Sequence, residues 1–182
     1  MNEHPIVTLA RAYHFAAARQ VNQRRKGEAA EPYMNHLTEV AELVARATRG
    51  SDPEVVIAAV LHDTVEDTEA TLDELKAQFG ERVAGLVAEV TDDKSLPKQT
   101  RKDLQVEHAA HASRGAQIIK LADKTSNLRA LAAGPPKGWS DERRLEYVEW
   151  AGRVVDACRG ADRGLEAEFD KAARSLAALV EQ

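Results

Sequence analysis

No stretch of useful length in this sequence alternates apolar and polar residues with period two, whereas apolar residues recur every three or four positions along most of it. A chain patterned this way offers no half-buried strand, so its core must come from helix packed on helix. Composition points the same way: thirty-two alanines stand against eight aromatics, and Ala loses least on entering a helix. Ile6, Leu9, Ala10, Tyr13 and Ala17 predict one apolar stripe, with Pro5 tolerated in the first turn. Val40, Leu43, Val44 and Ala47 predict a second after the break at Pro32, and Asp52-Pro53 opens a third that runs into His62. Thr71 with Glu74 reads as a capping box, with Gly80 ending that short helix. Further helices are expected over about Glu81–Val90, Thr100–Ala112 and Arg114–Leu131, the last stopped by Gly134-Pro135-Pro136. Ser140, followed by Asp141 and Glu142, opens another, and a final one covers Leu165–Val180. The expectation is one all-α domain of eight to ten helices over residues 1–182, with loops at Asn22–Tyr33, Asp92–Gln99 and Gly134–Trp139.

Several classes of function are disfavoured at once. Lys+Arg 25 against Asp+Glu 30, net −5, argues against a nucleic-acid coat or a binder of anionic membranes. The longest apolar run, Val55 to Leu61, is too short to span a bilayer, and Met1–Pro5 shows no secretory leader. Cys158 is the lone cysteine, so no internal disulfide can form and a reducing compartment is implied. The expected location is cytoplasmic.

Polar residues then stand where a core asks for apolar ones. His36 is one turn before Val40 on the buried stripe of its helix, His62-Asp63 ends the run VIAAVL, and Asp123 lies four residues after Ile119. A single buried His is ordinarily a hydrogen-bonded core residue, but an unpaired buried carboxylate is costly. Two imidazoles and two carboxylates from three helices form a mixed N/O set suited to a divalent ion such as Mn, Fe or Zn rather than Ca. If the helix continues past His62, Glu66 and Asp67 fall one turn beyond His62 and Asp63. Two more carboxylates would then flank the ion, and their crowding should raise at least one pKa. Asn127 is one turn after Asp123, placed to orient a ligand or a water.

These residues resemble the ligand set of the HD superfamily of metal-dependent phosphohydrolases. HDTVEDT (62–68), TLDEL (71–75), EVTDDK (89–94), LPKQTRK (96–102) and KLADKTSNLR (120–129) narrow the resemblance to the hydrolase domain of RelA/SpoT-type enzymes. GWS (138–140) and EYVEWA (146–151) bring it closer to the free-standing small alarmone hydrolases, with no synthetase domain expected in 182 residues. Leu37, where many relatives have proline, and Thr125, often apolar, are local departures. The resemblance implies hydrolysis of the 3′-diphosphate of guanosine tetra- or pentaphosphate, with His36, His62, Asp63 and Asp123 holding a divalent metal, usually Mn²⁺. Glu66 and Asp67 would position the attacking water and manage its proton, in roles that spacing does not divide between them. It also implies that Arg25 and Lys26 contact base and phosphate while Tyr33 shapes the nucleoside pocket.

An anionic substrate on an acidic protein needs local cations. Arg24-Arg25-Lys26, the group Lys94, Lys98, Arg101 and Lys102, and Arg143 with Tyr147 one turn on supply them. Lys98, Asn127, Arg143 and Tyr147 join the candidate substrate contacts, while Trp139 and Trp150 read as packing residues. Adenosine alarmones, the 2′-phosphate of NADPH, another nucleotide or a catalytically dead binding module stay open as alternatives. The expected partner is a small nucleotide, with neither nucleic acid nor membrane, and the oligomeric state is open. So is whether the last helix packs within the chain or on another copy.

Overall fold

The computed structural model describes residues 3–180; Met1, Asn2, Glu181 and Gln182 of the expected 1–182 domain lie outside the described residues. The described chain is all-α, in ten helices: α1 Pro5–Arg19, α2 Met34–Thr48, α3 Pro53–Leu61, α4 Thr64–Asp67, α5 Leu72–Phe79, α6 Glu81–Val90, α7 Lys98–His111, α8 Arg114–Ala133, α9 Asp141–Ala157 and α10 Arg163–Val180. Extended pairing among the described residues is confined to two isolated bridges, Arg24 with Pro32 and Gly27 with Pro136.

The run VVIAAVL explains the architecture. All seven residues, Val55–Leu61, are buried, as a helix apolar on every side must be. Helices α1, α2, α6 and α8 surround α3. The twenty-residue α8 is the second axis, packing against α2, α3, α6, α9 and α10. Gly115 allows its entry: a Cβ there would meet Leu86 Cδ2 at 2.9 Å and Val55 Cγ2 at 3.0 Å. Helix α10 buries Leu165, Phe169, Ala172 and Leu176 and packs on α8 and α9. The last helix therefore packs within the chain.

Side-chain caps sit where the sequence placed them. Asp52 accepts from Val55 N–H, Thr71 from Glu74 N–H and Ser140 from Arg143 N–H. The capping box is only half formed, because the Glu74 carboxylate pairs with Arg19 of α1 instead. Two expectations change. The buried face of α1 is Ala12, Phe15 and Ala16, with Ile6, Ala10 and Ala17 exposed: Phe15, packed edge-on to Phe79 at 5.6 Å, sets the rotation. The helix entering His62 also does not continue. Helix α3 ends at Leu61, and Asp63 (φ −100°, ψ −1°) leads into a separate turn, α4. Thr64 Oγ1 donates to Leu61 O at 2.6 Å and His62 Nδ1 bonds Ala59 O at 2.8 Å. Two carbonyls that helix α3 leaves unpaired at its end are thereby satisfied.

Candidate active site

That break aims His62 and Asp63 at the same point as His36 on α2 and Asp123 on α8. The two His rings are buried and lie 5.2 Å apart, centroid to centroid. His36 Nε2 is 3.5 Å from Asp63 Oδ2 and 3.3 Å from Asp123 Oδ1; His62 Nε2 is 3.1 Å and 4.0 Å from the same two oxygens. Ligand atoms held about 2.1 Å from a common cation stand about 3 Å apart when adjacent and about 4 Å apart when opposite. All four distances fall in that interval. Donor atoms of His36, His62 and Asp123 lie within 4.8 Å of one another, and Asp63 Oδ2 stands beside the trio.

The fit can be tested on the imidazoles. Each Nε2 is buried without a hydrogen-bond partner, despite the carboxylates nearby. Each Nδ1, in contrast, is engaged: His62 with Ala59 O and His36 with Ser126 Oγ, at 2.8 and 2.9 Å. A carbonyl can only accept, so His62 Nδ1 carries the proton and Nε2 is the atom free to take a cation. Two orphaned nitrogens converging on two carboxylates are what a divalent ion requires. Burial opposes charging of His62, but Asp63 and Asp123 outweigh it and push its pKa up to about 9, so a cation taken up at Nε2 displaces a proton there. Burial would raise Asp123, yet Lys124 at 2.8 Å and His36 hold it well below the carboxylate range.

His62, Asp63 and Asp123 line a cavity of about 680 Å³, ample for a nucleotide, while His36 lines a second, smaller one. Loop residues 23–27 and Tyr33 form one wall, tied down by Gln23 to the Asp67 carbonyl and by Arg25 to Asn127 Oδ1 at 3.3 Å. Asn127 in turn donates to Asp123 Oδ1 at 2.6 Å. Gly27 lets this loop meet the α8–α9 loop, since a Cβ there would stand 2.6 Å from Gly134 O. Across the cavity, Glu66 is about one-fifth exposed and accepts the Asp92 N–H at 3.1 Å. Burial is the main cause that pushes its pKa to about 7, with Asp63, Asp92 and Asp67 adding to it. Asp67 differs: Lys94 pairs with it directly and stands 4.0 Å from Glu66.

A family description, HD domain, matches residues 12–148, from α1 into α9 and across every group named above. The chain belongs to the HD-domain family. It is 51% identical over 87% of its length to the human guanosine-3′,5′-bis(diphosphate) 3′-pyrophosphohydrolase MESH1, covering 88% of that protein. It is 40% identical to the guanosine-3′,5′-bis(diphosphate) 3′-pyrophosphohydrolase of Aquifex aeolicus, over 68% of this chain and 18% of that longer one. Among solved structures, one described as a metazoan ortholog of SpoT that hydrolyzes ppGpp superposes with a TM-score of 0.89 at 44% identity, covering 95% of this chain and 97% of that one.

In this HD-domain chain Arg25, Lys26, Tyr33, Asn127 and Tyr147 line the cavity with Glu66 and Asp67. Tyr33 does something the sequence did not suggest: its hydroxyl donates to Asp63 Oδ2 at 2.6 Å, so it orients a candidate ligand as well as a wall. Lys98 and Arg143 do not line the cavity; both are exposed. Lys98 opens the first turn of α7, and Arg101, one turn further in, lines the cavity together with Lys94. The Arg143 guanidinium lies 4.4 Å from the ring of Trp139, which lines the cavity rather than only packing. Trp150 is a packing residue, buried at 6% exposure with the Lys102 and Lys124 amines near its ring.

Sequence reasoning missed Lys120. It is 5% exposed, lines the cavity, and makes no hydrogen bond or ion pair with the described residues. Burial lowers its pKa, and Lys124 adds to that. The signal was present: Lys120, Asp123, Lys124 and Asn127 recur at helical spacing, a polar stripe down an otherwise apolar α8. The buried Thr125 hydroxyl donates to Leu121 O at 2.7 Å within the same helix.

Proposed function

We propose that this chain is a divalent-metal-dependent hydrolase that removes the 3′-diphosphate of guanosine tetra- and pentaphosphate: substrate and water give GDP or GTP and pyrophosphate. Residues 1–182 form one HD-type phosphohydrolase domain in this reading. The observation that carries it is the pair of partnerless, buried Nε2 atoms of His36 and His62, converging at ligand spacing with Asp63 and Asp123, where His62 and both carboxylates line a nucleotide-sized cavity. The named activities of the relatives support the substrate and the products.

His36, His62, Asp63 and Asp123 would hold the cation; the N/O donor set suits Mn, Fe or Zn, and the resemblance to the small alarmone hydrolases points to Mn²⁺ among them. A bound divalent ion supplies Lewis acidity toward a water and a phosphoryl oxygen. The remaining work belongs to side chains. Glu66, with a pKa of about 7, is suited both to take a proton from the attacking water and to return one to the leaving group. Asp67, held by Lys94, orients that water. Lys120, Lys26, Lys94 and Arg101 give the polyphosphate cations within an acidic protein. Arg25, fixed by Asn127, and Trp139, backed by Arg143, face the base. Lys98 and Arg143 act from the rim, through long-range charge and through Trp139. No described helix is long and apolar enough to cross a membrane, and the proposed setting is the cytoplasm.

The test is product identification on metal-stripped protein with Mn²⁺ restored, using guanosine and adenosine alarmones, NADPH and simple nucleotides. Pyrophosphate from guanosine tetraphosphate, dependent on added metal, is the expected result. Orthophosphate as the sole product from every substrate, or alarmone binding with no turnover, would overturn it.

A further inference from the structure

We infer that Ser126, polarised by Glu39, fixes the ring orientation and tautomer of His36, as a positioning relay that begins on α10 and ends at the proposed cation. The inference rests on the metal reading above and deepens it. Ser126 is fully buried; its Oγ lies 2.9 Å from His36 Nδ1 and donates to Glu39 Oε2 at 2.6 Å. Glu39 is held by Arg129 at 3.1 Å, and Arg129 also pairs with Glu168 on α10.

The polarity of this chain follows from proton counting. A carboxylate can only accept, so the single hydroxyl proton of Ser126 is committed to Glu39. Ser126 Oγ must then receive the Nδ1 proton of His36, which leaves the Nε2 lone pair facing Asp63 and Asp123. His62 reaches the same state through a backbone carbonyl; His36 depends on side chains. A second cavity of about 200 Å³ is lined by His36, Glu39 and Arg129. Without the Glu39 carboxylate, the Ser126 hydroxyl can turn and donate to Nδ1. The ring proton then sits on Nε2, the tautomer that cannot bind a metal.

Titration calorimetry of Mn²⁺ into chelator-stripped protein tests this. Ser126→Ala and Glu39→Leu should each weaken binding about 10–100-fold, the usual loss when a metal-bound imidazole loses its partner, while Ser126→Thr stays within about threefold of wild type. At saturating metal, KM for the nucleotide should not move, which separates positioning from general damage to the cavity. Circular dichroism melts establish folding; if Ser126→Ala does not fold, Glu39→Leu, altering a side chain one-third exposed, decides the question alone. Wild-type affinity in both variants, or equal losses for Ala and Thr at 126, would overturn the relay and leave the metal reading standing. Failure of the wild type to bind Mn²⁺ would overturn both.

Discussion

Replacing Glu66 with Gln should stabilise the metal-free protein above pH 7 and leave it unchanged near pH 4.5. An unfolded Glu titrates near 4.5, whereas burial lifts Glu66 to about 7 in the fold. Below 4.5 both states hold the proton and the site costs nothing. Between 4.5 and 7 the folded state retains a proton that the unfolded state has released, so stability falls as pH rises and levels off above 7. That interval, at about 1.4 kcal/mol per pH unit, amounts to about 3 kcal/mol. The side chain is only 19% exposed, so solvent screening removes little of it. Gln keeps the shape and can still accept the Asp92 N–H; it gives up the attraction to Lys94 at 4.0 Å, which makes 3 kcal/mol an upper figure. For a protein of this size the gain corresponds to a Tm higher by about 6–12 °C. Melts of wild type and Glu66→Gln in excess chelator, from pH 4.5 to 8.5, read it directly. The same variant should retain metal and lose kcat. A Tm difference independent of pH, or a variant less stable at pH 8.5, would refute the claim that Glu66 carries a buried charge held for proton transfer.

Three other perturbations separate the parts of the site. Asp63→Ala should lose metal and activity together, since it borders both imidazoles at 3.1 and 3.5 Å; wild-type metal content by elemental analysis would contradict the ligand assignment. Lys120→Met should raise KM for the polyphosphate about tenfold or more, the value of a charge-assisted hydrogen bond, with no fall in Tm because the removed charge has no protein partner. An unchanged KM would remove Lys120 from the substrate. Gly27→Ala should force its loop and the α8–α9 loop apart and raise KM without altering Mn²⁺ affinity, as read by steady-state kinetics beside calorimetry; unaltered KM would show that their close approach does not shape the cavity.

Periodicity could be read where side chains differ in kind. The run Val55–Leu61 had to be buried on all sides, and α2 buries Val40, Leu43 and Val44 as spaced. It failed where Ala dominates. Ala10 and Ala17 are exposed while Ala12 and Ala16 are buried, because Ala fits either face and only the single Phe15 fixes the phase. The break at His62–Asp63 carried no Gly or Pro; it is made by side chains capping carbonyls, which becomes visible only in three dimensions. For the same reason His36, His62, Asp63 and Asp123 could be singled out as costly polar residues on apolar helices, while their supports could not. Glu39 and Ser126 are 87 residues apart, and each looks like an ordinary polar residue until the helices meet. Lys98 and Arg101 lie in one basic run, and only the direction of α7 distinguishes the exposed one from the one at the cavity.

Anomalous diffraction from crystals soaked in Mn²⁺ bears most directly on whether one cation organises this chemistry. A single peak about 2.0–2.2 Å from Nε2 of His36 and His62 and from carboxylate oxygens of Asp63 and Asp123 is expected. A peak elsewhere, or none at a concentration that supports turnover, would contradict it.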